Sequence, residues 1–184
     1  MKQQTALLVM DMQLGILQNL PNANKVVETV TEAVTKARNN NIPVIYATLA
    51  FRPGFPEINP NNKFFEAFKQ QVAAVPMETF AQVHPAIAPK ENEIVVLKKR
   101  ISAFTGSDLE VVLRSLGINH LGLTGVSTSG VVLSTLREAI DKDYSVTVLA
   151  DGCADRDEEV HRVLTTKVYP RQALVVSVSE WRPE

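Results

Sequence analysis

Leu123-Thr-Gly-Val-Ser-Thr-Ser-Gly-Val-Val-Leu-Ser-Thr135 runs from an apolar strand through a turn of glycine and hydroxyl residues into a helix with Val132, Leu136, Ala139 and Ile140 on one face. A strand that feeds a helix through so short a turn is half of a β-α-β unit, and the rest of the chain repeats the alternation. Apolar runs at 6–11, 44–48, 94–98, 121–125, 146–150 and 173–178 are the expected strands. Between the first two lies a helix that places Val26, Val30, Ala33, Val34 and Ala37 on one face, which must pack on the sheet. The pattern predicts a single α/β domain over 1–184, with three α/β/α layers around a parallel six-stranded sheet.

Helix ends are legible as well. Ser107-Asp-Leu-Glu110 has the form of a capping box ahead of 111–116, and Gly117 supplies a left-handed stop. Asp155-Arg-Asp-Glu158 has the same form before Val160, Val163 and Leu164, with Pro170 beyond the helix. Asp155, Asp157, Glu158 and Glu159 complement a helix N-terminus, a better fit than metal ligation. Residues 51–61, rich in proline, glycine and asparagine, form the longest irregular insertion. Ligands in open α/β sheets bind beyond the carboxyl ends of the strands, so this insertion is the expected pocket wall.

Composition fits a soluble enzyme domain: 45% of the 184 residues are hydrophobic and 21% charged, which argues against both disorder and a membrane protein. The net charge of −1 gives no general attraction to nucleic acid. The start, Met1-Lys-Gln-Gln-Thr, leads directly into a strand without a signal peptide's apolar stretch, and a cytoplasmic location is expected. The single cysteine, Cys153, suits a reducing compartment and reads as a small buried thiol.

Four stretches, in order along the chain, resemble the isochorismatase-like cysteine hydrolases. The opening turn is similar to that family's Gly-Val-x-Thr-x-x-Cys-Val-x-x-Thr, with Val131 where the nucleophilic cysteine would stand. Leu7-Leu-Val-Met-Asp-Met-Gln13 resembles the strand that carries the family's catalytic aspartate, which matches Asp11, and Val95 to Phe104 resembles a Lys-x-x-x-Ser-Ala-Phe stretch, which matches Lys98 to its catalytic lysine. Asp151-Gly-Cys-Ala-Asp155 is similar to the acidic turn after the fifth strand. The resemblance implies the sheet order 3-2-1-4-5-6, a cis peptide between Val126 and Ser127, a small-molecule substrate, no cofactor and assembly as a homo-oligomer. Neither nucleic acid nor a membrane is an expected partner.

Valine has no lone pair and no exchangeable proton, so Val131 cannot act as a nucleophile. Ser127, Ser129 and Ser134 are near in sequence, but none of His84, His120 and His161 is placed by sequence as the base a hydroxyl needs. Nicotinamidases of the resembling family place an Asp-x-His metal pair after the second strand, where this chain reads Tyr46-Ala-Thr-Leu-Ala-Phe-Arg52, and no metal is expected. The isochorismatases proper also lack the cysteine and protonate an enol ether with a carboxylic acid. They carry glycine at the position of Val131, whereas here glycine comes one residue early, at Gly130.

Asp11 and Lys98 are therefore the expected catalytic pair, an aspartate tuned for proton transfer by a lysine. Strand alternation puts Lys98 on the face of Val96, with Lys99 on the other. A strand intervenes between the two in the implied order, a separation of about 9.6 Å that the lysine must bridge. Gln13, Ser127, Gly130, Val131, Arg52 and Phe104 are the expected substrate-binding or oxyanion positions, since backbone N–H groups at a helix start can hold an anion. Arg52 and Arg100 are candidate partners for a substrate carboxylate. The expected function is acid–base hydrolysis of a small carboxylate-bearing molecule; the alternative is a catalytically inactive binding or interaction module.

Overall fold

A computed structural model describes residues 3–183. Six parallel strands form one sheet in the order β3-β2-β1-β4-β5-β6: β1 Thr5–Met10, β2 Val44–Leu49, β3 Ile94–Lys98, β4 His120–Val126, β5 Ser145–Ala154 and β6 Leu174–Val176. The helices, in chain order, are α1 Leu14–Leu17, α2 Ala23–Asn39, α3 Lys63–Val72, α4 Met77–Ala81, α5 Leu109–Ser115, α6 Leu133–Asp141 and α7 Glu158–Val163. The α/β/α class and the strand order are as expected.

Alternation along β1 explains the three layers. Ala6, Leu8 and Met10 point to one side and pack with Leu109 and Leu113 of α5 and Leu136 and Ala139 of α6. Leu7 and Val9 point to the other and pack with Val26, Val30, Ala33, Val34 and Ala37 of α2. All six residues of β1 are buried, as a central strand covered on both faces requires.

Several boundaries differ from expectation. β5 continues through Asp151, Gly152 and Cys153 to Ala154, because a register shift between Leu123 and Gly125 lets the chain resume pairing with β4. The residues expected as a free acidic turn are thus partly strand, and Asp151 accepts the Val178 N–H at 2.8 Å. β6 stops at Val176, since the next residue starts a turn in which the Ser177 carbonyl accepts from Glu180 and Trp181. The box before α7 is shifted by two residues: Asp157, not Asp155, caps the helix by accepting the N–H groups of Glu159 and Val160. At α5 the hydroxyl of Ser107 accepts the Leu109 N–H, and Gly117 is left-handed as expected. Pro170 lies in a short 3-10 turn rather than after a clean stop.

The largest omission in the sequence reading is α3. Asn62 caps it by accepting the Phe65 N–H, and its buried Phe65 joins Leu49, Phe51 and Ile58 in a third apolar cluster. This helix sits over the carboxyl ends of β2 and β1 and forms the wall that had been expected from 51–61.

Candidate active site

β1 ends at Met10, and Asp11 turns the chain with a left-handed φ of 56° while its N–H still bonds the Ala47 carbonyl of β2. Gln13 then replaces two ladder bonds with its side chain, since its Oε1 accepts from Leu49 N at 2.6 Å and its Nε2 donates to Leu49 O at 2.9 Å. Gln13 is fully buried and committed to this clip, so it holds Asp11 in place rather than lining the cavity. That corrects its expected role in substrate binding.

Lys98 follows the alternation of β3: Val96 and Lys98 are buried while Val95 and Leu97 are exposed. Its side chain crosses the intervening strand and closes the expected gap, with Nζ 2.9 Å from Asp11 Oδ2. Nζ also donates to the Arg100 carbonyl at 3.0 Å. The ammonium is 1% exposed and so has left water for these two oxygens.

Asp11 Oδ1 is also buried, but no group among the described residues bonds it. Burial raises the carboxyl pKa above its usual value, and Lys98, by charge and by hydrogen bond, opposes that rise without cancelling it. With Oδ2 accepting from the ammonium, an added proton belongs on Oδ1. A buried polar atom without a partner is costly in the resting protein and is satisfied by an incoming ligand.

Asp11 and Lys98 lie on the wall of a cavity of about 450 Å3, within the range of small-molecule sites. Phe64, Phe65, Phe68, Val72 and Phe80 make its apolar side, and Ser127, Ser129, Gly130 and Val131 face it from the turn after β4. The Val126–Ser127 peptide is cis, as the resemblance implied. A Cβ on Gly130 would lie 2.6 Å from Ser127 Oγ, so the glycine leaves room for that hydroxyl. Gly125, at φ 131°, packs directly on the Met10 backbone and joins the turn to the end of β1.

The turn is latched by Asp155, itself a cavity residue, and by its own backbone. Ser129 N–H donates to Asp155 Oδ2 at 2.7 Å, while the N–H groups of Gly130 and Val132 return to the Ser127 carbonyl. These three donors are occupied, and of the expected oxyanion positions this takes up the Gly130 N–H. Tyr169 donates its hydroxyl to the Thr128 carbonyl at 2.6 Å, and His161 Nδ1 lies 2.8 Å from Thr128 Oγ1. His161 thus reaches the turn, which its position on a late helix gave no means to foresee, but its partner is a fully buried threonine outside the cavity lining.

Apart from Arg100, the remaining expected residues lie elsewhere. His120 bridges Thr5 and Thr147 at the amino ends of the strands, opposite the site, and burial lowers its pKa and favours the neutral ring. The Arg52 side chain is 72% exposed, pairs with Glu57 at 2.8 Å and does not line the cavity, because the insertion folds back on itself. Phe104 packs against Tyr144 in the core. Arg100 does line the cavity. Cys153 is buried against the Leu123 carbonyl, and burial, with the Asp151 charge adding to it, pushes its thiol up to about 12. No group of three or more acidic, histidine or cysteine side chains suited to a metal occurs among the described residues.

The isochorismatase domain model matches residues 5–180. The chain belongs to the isochorismatase family. It is 32% identical to the isochorismatase family protein YecD of Escherichia coli O157:H7, an alignment covering 96% of this chain and 93% of that protein. It is also 32% identical to the ureidoacrylate amidohydrolase RutB of Pseudomonas syringae pv. syringae, over 81% of this chain and 70% of the relative. Among solved structures, an isochorismatase family protein of Burkholderia thailandensis superimposes with a TM-score of 0.85 at 27% identity, covering 97% of this chain and 94% of that one. The family includes hydrolases of the amidase type, and no helix among the described residues is long and apolar enough to cross a membrane.

Proposed function

We propose that this isochorismatase-family chain hydrolyses a small carboxylate-bearing molecule by acid–base chemistry from Asp11, without a cysteine nucleophile. The observation that carries this reading is the buried Asp11 carboxyl, with one oxygen on Lys98 and the other without a partner at the cavity wall. In this scheme Oδ1 donates its proton to the departing atom, water adds to the other fragment, and a proton from that water returns to Asp11. Lys98 holds Oδ2 and, by opposing the rise in the Asp11 pKa, keeps the proton transferable. Arg100 and Arg156 are among the residues that line the same cavity and support an anionic substrate, while Asp155 on that lining already accepts the Ser129 N–H. The relative from Pseudomonas syringae is by name an amidohydrolase of an acid, which supports the same class. On the family resemblance, the setting we propose is a cytoplasmic homo-oligomer of a single domain.

Val131, buried where the family's nucleophile would stand, favours a second reading in which the chain binds its ligand and does no chemistry. The two are separated by assaying the protein and its Asp11→Asn variant against a panel of ureido acids, amide acids and enol ethers that includes ureidoacrylate and isochorismate. Turnover that disappears in the variant supports the hydrolase; ligand binding without turnover supports the module. Cys153→Ala and treatment with a thiol reagent should both leave turnover within about twofold of the untreated protein, since a buried thiol with a raised pKa is a poor nucleophile. Loss of turnover in Cys153→Ala, or a substrate adduct on Cys153 by mass spectrometry, would contradict this.

A further inference from the structure

Arg100 is half-buried at the cavity and is held by backbone carbonyls. Its Nη1 donates to the Lys99 carbonyl at 2.6 Å and its Nη2 to the Glu57 carbonyl at 2.9 Å, and the guanidinium carbon lies 5.5 Å from the centre of the Phe65 ring. Both hydrogen bonds go to neutral carbonyls. No carboxylate lies within salt-bridge distance of Arg100 among the described residues, although Arg38, Arg52, Arg114 and Arg162 each have one. A guanidinium has five N–H donors, so about three remain after these two bonds. The group is rigid, charged and half-buried, and it lines the cavity.

Its neighbourhood is equally specific. Phe65 meets Phe64 edge-on at 5.1 Å and Phe68 at 6.4 Å, so the cation is continuous with the aromatic wall. On the other side, the Arg100 carbonyl is one hydrogen bond from Lys98 Nζ and hence from Asp11. Arg100, the aromatic wall and the carboxyl pair therefore line one cavity.

We propose that Arg100 is the carboxylate anchor and specificity-determining residue of this cavity, and that its ligands are carboxylates attached to a flat or unsaturated apolar body, which lies against the phenylalanine wall. The inference rests on the proposed function for which molecule is processed, but not for whether it binds. A short acid fills the anchor and leaves the wall wet; a neutral ring fills the wall and leaves the guanidinium unmatched.

Isothermal titration with benzoate, acetate and benzyl alcohol tests this without any turnover. Benzoate should bind saturably, and acetate and benzyl alcohol each at least about tenfold more weakly, because each forfeits either the apolar contact or the charged hydrogen bonds. Arg100→Gln should weaken benzoate by about tenfold or more, Arg100→Lys by less because it keeps the charge and loses the fork, and Arg52→Gln should have no effect. Thermal melting checks that each variant is folded; should Arg100→Gln fail to fold, Arg100→Lys and the three-probe comparison decide. Undiminished benzoate binding in a folded Arg100→Gln, acetate binding as tight as benzoate, or no benzoate binding would each overturn the assignment. Benzoate binding is read without turnover, so loss of chemistry and loss of the anchor are distinguishable.

Discussion

Asp11→Asn is expected to lower turnover by about 10²- to 10⁴-fold, the contribution typical of a positioned general acid. The substitution is chosen because asparagine copies the shape of a neutral carboxylic acid and still offers Lys98 an oxygen. It removes only the transferable proton. Since the 2.9 Å bond to Lys98 can persist and Gln13 still clips the chain to Leu49, the variant should melt close to the parent. A folded Asp11→Asn protein with near-parental turnover would remove Asp11 from the mechanism and leave the binding-module reading in place.

The second large effect concerns Lys98 and separates its volume from its charge. Lys98→Ala deletes a long side chain that is 1% exposed and should destabilise the fold by roughly 3 kcal/mol, by the cavity left and by the acceptor stranded on Asp11. Lys98→Met fills the space without a charge and should recover only the part of that loss due to the cavity, because removing one partner of a buried pair still leaves the Asp11 carboxyl uncompensated. Activity should divide differently. In Lys98→Met the ammonium that lowers the Asp11 pKa is gone, so the pKa rises further and the falling limb of the pH–rate profile moves to higher pH. Denaturant melts and pH profiles of both variants check this. A methionine variant as unstable as the alanine one, or a limb that moves to lower pH, would show that Lys98 acts otherwise.

The fold was legible because its signals are local and periodic: the face of Val26, Val30, Ala33, Val34 and Ala37 and the alternating sides of β1 each name their own layer. The pairing of Asp11 with Lys98 was expected from the resemblance, while its closure depends on the path of the Lys98 side chain across β2, which no residue pattern encodes. Gln13 and Arg52 show the limit in another way. Each stands within a few residues of a strand end, yet local partners claim their side chains, Leu49 for one and Glu57 for the other. The missed helix α3 did leave a trace, since Phe64, Phe65, Phe68 and Val72 follow a helical spacing after the cap Asn62, but the preceding proline and asparagine run masked its start. The tie from Asp155 to Ser129 had no local trace, because the carboxylate looks like a cap and is spent on a turn 26 residues away.

The central claim is that Asp11 holds its proton and gives it up. Carbon NMR of the labelled Asp11 carboxyl, titrated alongside the pH–rate profile, measures that proton directly. Burial that outweighs Lys98 predicts a midpoint above the ordinary 3.8, with turnover falling as pH rises through the same range. A carboxyl already ionised at or below 3.8, with turnover that rises with pH, would make Asp11 a base toward water and contradict its role as the proton donor.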